Sequence, residues 1–106
     1  MNITKEKLIA KGYTQYPCAY KGEFCTGLFQ KVVMQDRIRL YFINVYLWSF
    51  PNRHASASVE VRLYCRKGQF DVNYIIDFDT TVDDVEVFYC DVFERLNCLP
   101  DQDNND

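Results

Sequence analysis

Residues 37–50, with the sequence RIRLYFINVYLWSF, constrain the fold more than any other part of the chain. The segment lacks Gly and Pro and is rich in β-branched and aromatic side chains, so we predict a long β-strand. One set of alternate positions comprises Ile38, Leu40, Phe42, Asn44, Tyr46, Trp48 and Phe50, and the other comprises Arg37, Arg39, Tyr41, Ile43, Val45, Leu47 and Ser49. The first set is core-like, and the second begins basic and becomes apolar. Such a strand needs cover on both faces, from its own chain or from another molecule.

Three other segments alternate between apolar and polar side chains and predict further strands over residues 28–34, 58–66 and 70–78. The second of these has the clearest alternation, with Val59, Val61, Leu63 and Cys65 expected to face inward. The turns between the strands are short, which favours an antiparallel meander. Alternation then predicts an open sheet face that collects Arg39, Tyr41, Arg62, Tyr64, Asn73 and Asp77.

Two segments carry the signals of helices. Thr4 is a suitable N-cap for a short helix that runs to about Lys11. Thr80 or Thr81 is a suitable N-cap for a longer helix, because acidic residues follow at once and apolar residues recur at helical spacing. The predicted fold is an α+β two-layer sandwich of order αββββα, in which the long C-terminal helix packs on one face of a four-stranded sheet.

The length of the chain favours one domain over residues 1–100, followed by an acidic disordered tail over 101–106. The charged N-terminal segment lacks the apolar run of a signal peptide, and no later segment approaches a membrane span. We therefore expect a cytoplasmic location. Residues 13–25 are predicted to form an aromatic loop, because Pro17 and Gly22 interrupt regular structure.

The chain contains five cysteines, which are Cys18, Cys25, Cys65, Cys90 and Cys98. An odd number without a C-x-x-C pair is a poor disulfide framework and a poor zinc site, so we expect free thiols in a reducing compartment. Charge is unevenly distributed: residues 1–67 carry eleven Lys and Arg against four acids, and residues 68–106 carry one against eleven. This asymmetry indicates either internal complementarity or a bipolar surface that steers a charged partner.

The sequence offers no clear catalytic or metal-binding constellation. His54 is the only histidine, and nothing in the sequence pairs it with Cys18, Cys25 or Ser56. The acidic residues near the start of the long helix, Asp77, Asp79, Asp83 and Asp84, lack the spacing of a calcium loop. We therefore predict a protein that is not an enzyme and that has no metal and no cofactor.

Two binding hypotheses remain. The first is a protein–protein interaction, with a foreign protein or a second copy, through the apolar face of the long strand (Tyr41, Ile43, Val45, Leu47), Tyr20 of the aromatic loop, and the acidic face of the long helix (Asp84, Glu86, Asp91, Glu94). The second is a single-stranded nucleic-acid platform made of Arg39, Tyr41, Arg62 and Tyr64. The pI of 5.1 makes nucleic acid the less favoured partner.

The layout of the chain resembles that of the small proteins encoded by bacteriophages and prophages. Three segments carry the resemblance: TKEKLIAKGY, LFQKVV followed by YFINVY, and FDTTVDDVEVFYCDVFERLNC. The resemblance implies a host-takeover or anti-defence inhibitor, such as an anti-CRISPR protein. Proteins of that kind act by occupying the surface of a host protein complex in the host cytoplasm. The resemblance includes no catalytic motif and transfers no site residues to this chain.

Overall fold

The computed structural model describes residues 2–18, 24–52, 55–65, 68–76 and 80–97. Its elements are, in chain order, α1 (Lys5–Ala10), β1 (Thr14–Tyr16), β2 (Cys25–Gln35), β3 (Leu40–Trp48), β4 (Ser56–Cys65), β5 (Gly68–Ile76) and α2 (Val82–Asn97). The strands form one antiparallel sheet in which each strand pairs with its chain neighbours, in the order β1-β2-β3-β4-β5. The α+β class, the meander and the two helices are therefore confirmed.

The sheet has one strand more than the sequence predicted. Residues of the expected aromatic loop form β1, where Thr14 pairs with Gln30 and Tyr16 pairs with Leu28. Pro17 follows at once and has no N–H for the ladder, so the strand ends after three residues. All three residues of β1 are exposed, so the strand has no buried face and its sequence does not alternate between apolar and polar residues.

Local hydrogen bonds fix both helix starts. The Oγ1 atom of Thr4 accepts from the N–H of Lys7 at 3.3 Å, which caps α1 as expected. At α2, the N–H of Asp84 donates to Oγ1 of Thr81 at 3.1 Å and the N–H of Thr81 donates to Oδ2 of Asp84 at 2.9 Å. This reciprocal pair is a capping box, with Asp in the position usually held by Glu. Gly12 ends α1 with a φ of 93°, in the left-handed region that favours glycine.

The helices cover the face of the sheet that carries the second set of β3 positions. Ile43 and Val45 are fully buried there, each opposite a buried valine of β4. The same core cluster includes Ile3, Leu8, Tyr13, Phe29, Tyr41, Ala57, Val59, Val61, Leu63, Val82, Val85 and Val92, and Leu47 packs against it. The chain therefore covers this face itself, and Tyr41, Ile43 and Val45 are not a partner-binding surface.

The partition of β3 into two alternate sets is confirmed, but the expectation that the first set forms the core face was wrong. Ile43 pairs with Val61 and Val45 pairs with Val59, so the apolar side of β4 selects the second set of β3 as the helix-covered face. The first set lies on the other face, beside the polar side chains of β4. Tyr41 is only 4% exposed and lies opposite Leu63, so it does not share a face with Arg62 and Tyr64 of the predicted nucleic-acid platform.

An ion pair joins the helical layer to β2. The Nζ atom of Lys31 lies 3.1 Å from Oε1 of Glu86 in α2 and 5.5 Å from the ring centroid of Tyr13. The Tyr13 hydroxyl is buried here and has no hydrogen-bond partner among the described residues. Burial, followed by the negative charge of Glu86, raises the pKa of Tyr13 above its ordinary 10.0.

Replacing Ile43 with Ala tests the assignment of the covered face. Its side chain is fully buried, so truncation should lower the free energy of unfolding by about 2–5 kcal/mol. The matched control is Val87→Ala, at a residue 71% exposed on α2, where the change should stay within about 0.5 kcal/mol. Denaturant titrations of both variants measure the difference, and equal effects would contradict the assignment.

Replacing Tyr13 with Phe should stabilise the protein by roughly 1 kcal/mol or more, because it removes a buried hydroxyl that lacks a partner. A pKa raised on folding means that the folded state holds the phenolic proton more tightly. The contribution of this proton to the free energy of unfolding is complete below pH 10.0 and is lost as the pH rises above that value. Unfolding titrations at neutral and alkaline pH should therefore show a shallower alkaline decline in Tyr13→Phe. A large loss of stability at neutral pH would contradict this account.

Candidate protein-interaction site

A ladder of polar side chains crosses the sheet face that the helices leave uncovered. The Nε2 atom of Gln30 donates to Oδ1 of Asn44 at 3.0 Å, and Nδ2 of Asn44 donates to Oε1 of Glu60 at 3.0 Å. The guanidinium of Arg62 then bridges Glu60, at 3.2 Å, and Asp71, at 2.6 Å. Asn44 is only 5% exposed, so these bonds satisfy a buried amide and leave the middle of the face polar but internally paired.

The guanidinium of Arg62 contacts three side chains of the same face, those of Glu60, Tyr64 and Asp71. Burial alone would lower its pKa, but hydrogen bonds to Tyr64 and Asp71 and the charge of Glu60 raise the pKa overall. The other arginine of the predicted nucleic-acid platform, Arg39, lies 3.0 Å from the carboxylate of Asp36. Both cations are therefore paired within the chain. Arg62 and Tyr64 are in contact, at 3.2 Å, but Tyr41 lies on the other face, so the four predicted residues do not form one platform.

One end of the uncovered face carries a continuous series of rings, which we call the aromatic row: Tyr46, Trp48, Phe50 and Phe24. Ring centroids are 6.2 Å apart from Tyr46 to Trp48 and 5.9 Å from Trp48 to Phe50, the latter pair being stacked at 9°. Phe24 follows at 5.2 Å from Phe50. The row runs from Tyr46, which is 4% exposed, to Phe24, which is 37% exposed. It therefore extends from the sheet out to solvent.

A shallow depression of about 280 Å³ lies beside the aromatic row and is lined by Trp48, Phe50, Ser56, Ala57 and Ser58. The indole N–H of Trp48 donates to Oγ of Ser58 at 3.0 Å, which fixes the ring that forms one wall. Sites for small-molecule ligands usually measure about 300–1,000 Å³. The depression is slightly smaller than that range and suits a single protruding side chain.

A disulfide between Cys18 and Cys25 anchors the base of the aromatic row, with 6.4 Å between the two Cα atoms. Cys18 is buried in a second apolar cluster with Leu28 and Tyr46, and Trp48 packs against that cluster. The expectation of free thiols was therefore wrong for these two residues, because an odd cysteine count hid a pair that is only 7 residues apart. Cys65 and Cys90 are free, and Cys98 lies outside the described residues.

The acidic residues predicted to bind a partner mostly serve contacts within the chain. Asp84 caps α2, and the backbone N–H of Thr81 lowers the pKa of its carboxyl group. Glu86 pairs with Lys31, Asp91 lies 3.2 Å from Arg95, and Glu94 is exposed. Tyr20, His54, Asp77 and Asp79 lie outside the described residues.

The ion pairs between elements explain part of the charge asymmetry. Lys11 pairs with Asp83 at 2.7 Å, Lys31 with Glu86, and Arg62 with Asp71, so each pair joins a basic residue of the first part of the chain to an acid of the second. These contacts favour internal complementarity over a bipolar field. The Lys11 and Asp83 side chains are well exposed, so that pair contributes little stability by itself.

Within the described ranges, no three His, Cys, Asp or Glu residues are grouped so that they could hold a metal ion. None of the helices in that part of the chain is both long and apolar enough to cross a membrane. No protein-family model, curated protein or solved structure matches the chain. We therefore infer a function from the aromatic row and its depression.

Removing the disulfide by the double replacement Cys18→Ser and Cys25→Ser should lower the free energy of unfolding by about 2.5 kcal/mol, the chain-entropy value for a closed loop of this length. Unfolding titrations with and without dithiothreitol measure the effect. The reductant should destabilise the wild type and leave the double variant unchanged. Cys90→Ser, at an exposed free thiol, is the control and should behave as the wild type. Insensitivity of the wild type to reductant would contradict the bond.

Proposed function

We propose that this protein is a non-enzymatic interaction module that binds another protein through the aromatic row and the adjacent depression. The observation that supports the proposal is the stacking of Trp48 on Phe50, on the face that the helices leave uncovered. Phe50 in turn contacts the ring of Phe24, which is exposed. Trp and Tyr are enriched among the residues that dominate the energy of protein interfaces.

The site is held in place before any partner arrives. Trp48 is fixed by its hydrogen bond to Ser58 and by stacking on Phe50, and the two cysteines of the disulfide pack in the same apolar cluster as Trp48. A rigid aromatic surface loses little conformational entropy on binding, so more of the contact energy remains as affinity. The depression would take one apolar side chain of the partner.

The polar ladder supplies the rim that such an interface requires. Interfaces commonly have an apolar centre surrounded by polar groups that remain hydrogen-bonded. Here Glu60 and Arg62 lie on the same face as Trp48 and are already paired with each other. A partner could contact them without leaving an isolated buried charge, which is the costly case.

The resemblance in layout to phage and prophage proteins supports a more specific proposal. We propose that the partner is a host protein complex and that binding blocks one of its surfaces. A small module with a preformed site suits a blocking role. The disulfide between Cys18 and Cys25 is typical of proteins outside the reducing cytoplasm, which counts against the predicted cytoplasmic location.

The aromatic row could also stack the bases of a single strand, but such platforms need cations beside their rings. Arg62 and Arg39 are each paired with carboxylates of the chain, and Tyr41 is buried. These contacts favour a protein partner over nucleic acid.

Affinity capture from bacterial lysate, with mass spectrometry of the retained proteins, tests the proposal. Trp48→Ala and Phe24→Ala should each weaken capture of the same partner, with Trp48→Ala reaching about 30-fold, the effect of a ~2 kcal/mol hot spot. The control is Val87→Ala, which removes an exposed apolar side chain on α2 and should bind as the wild type does. Circular dichroism of each variant verifies folding. Failure to capture a specific partner, or equal capture by all variants, would overturn the proposal.

A further inference from the structure

The two edges of the sheet are protected to different degrees. At one edge, β1 has only three residues, and β2 extends beyond it as far as Gln35. This extension carries Lys31 and a bulge between Val32 and Met34. A short strand, a lysine and a bulge are three of the devices by which proteins prevent an edge from pairing with another chain.

The opposite edge has none of these devices. The strand β5 runs for nine residues, and its pairing with β4 is continuous from Cys65–Gly68 to Ala57–Ile76, with no bulge. Its sequence, GQFDVNYII, contains neither Pro nor Lys. No other strand in the described part of the chain pairs with its outer side. An edge of this kind presents a row of backbone donors and acceptors to another strand.

We propose that the outer edge of β5 pairs with β5 of a second copy of this chain, antiparallel and about a two-fold axis at Val72. Val72 is the middle residue of the nine, so this register pairs the whole strand with itself. It sets Asp71 opposite Asn73 of the second copy, and Phe70 opposite Tyr74 of the second copy. Polar residues therefore lie opposite polar residues, and aromatic residues lie opposite aromatic residues. Cross-strand pairs of these kinds stabilise the pairing of two strands.

Neighbouring registers are less favourable. An axis at Asp71 sets two Asp71 carboxylates directly opposite each other, which is a destabilising pair of like charges. An axis at Asn73 sets Asp71 opposite Ile75 of the second copy. Only the axis at Val72 avoids both conflicts while pairing all nine residues, and this self-complementarity favours a second copy over a foreign strand.

The pairing joins two sheets into one of ten strands and ends there. A two-fold contact uses the same edge of both copies, and the remaining edges are the protected ones. Phe70 and Val72, which are half-buried at the rim of the core in one copy, lie at the centre of the joined sheet. Asp71 already pairs with Arg62 of its own chain, so it does not bring an isolated charge to the contact.

Sedimentation equilibrium over a range of protein concentrations tests the pairing. The mass of the wild type should rise from 12.6 kDa towards twice that value as concentration increases. Asn73→Asp sets a like charge opposite Asp71 twice in each dimer and should weaken association by up to about tenfold, whereas Asn73→Lys should strengthen it. The control Gln35→Asp, at an exposed residue of the protected edge, should associate as the wild type does. A monomer at every concentration, or equal association of the two Asn73 variants, overturns the proposal.

Engineered disulfides test the register itself. Val72→Cys places two thiols directly opposite each other on the axis, and it should give a covalent dimer on oxidation in a background where Cys65, Cys90 and Cys98 are Ser. Asn73→Cys in the same background should give no covalent dimer, because the residue opposite position 73 is Asp71 of the second copy. Cross-linking of Asn73→Cys in preference to Val72→Cys excludes this register. Trp48→Ala should still dimerise, so failure of the aromatic site and failure of the edge pairing are distinguishable.

Discussion

The pairing of β3 with β4 is the constraint on which the rest of the structure depends. Ile43 opposite Val61 and Val45 opposite Val59 concentrate fully buried aliphatic side chains on one face of the sheet. A shift of one residue would send every β3 side chain to the other face, because side chains alternate with a period of two. The helices α1 and α2 follow from this register, since their apolar side chains pack against the face that it creates.

The same register determines the character of the uncovered face. Asn44, Tyr46 and Trp48 must then share a face with Ser58 and Glu60, so aromatic and polar side chains become neighbours. The polar ladder satisfies the buried amide of Asn44, and Cys18 and Leu28 pack with Tyr46. Trp48 and Phe50, towards the end of the face, are left only partly covered. The aromatic row is thus a consequence of a strand that is apolar on both sides.

Sequence periodicity predicted those elements that have one buried face. The alternation of β4, the apolar spacing of α2 and the caps at Thr4 and Thr81 all lead to the observed elements. It could not assign the faces of β3, because both are apolar and only the pairing partner distinguishes them. The strand β1 was missed because its three residues are exposed and carry no alternation.

The candidate site was harder to predict than the fold, because it depends on contacts between distant residues. Trp48 and Phe50 were visible as aromatic residues, but their stacking with Phe24 depends on the strand pairing and on the neighbouring disulfide. Arg62 was expected to be an open cation and is instead paired with Glu60 and Asp71, since the β4–β5 register brings acids beside it. Charge type is readable in a sequence, whereas charge pairing requires the register.

The most direct test of this account is a nuclear Overhauser spectrum of the backbone amides and α-protons of β3 and β4. The account predicts cross-strand contacts of Ile43 with Val61 and of Val45 with Val59. Amide–amide or α–α contacts between Asn44 and Val61, which only directly opposite residues give, would place the first set of β3 side chains under the helices and would contradict it.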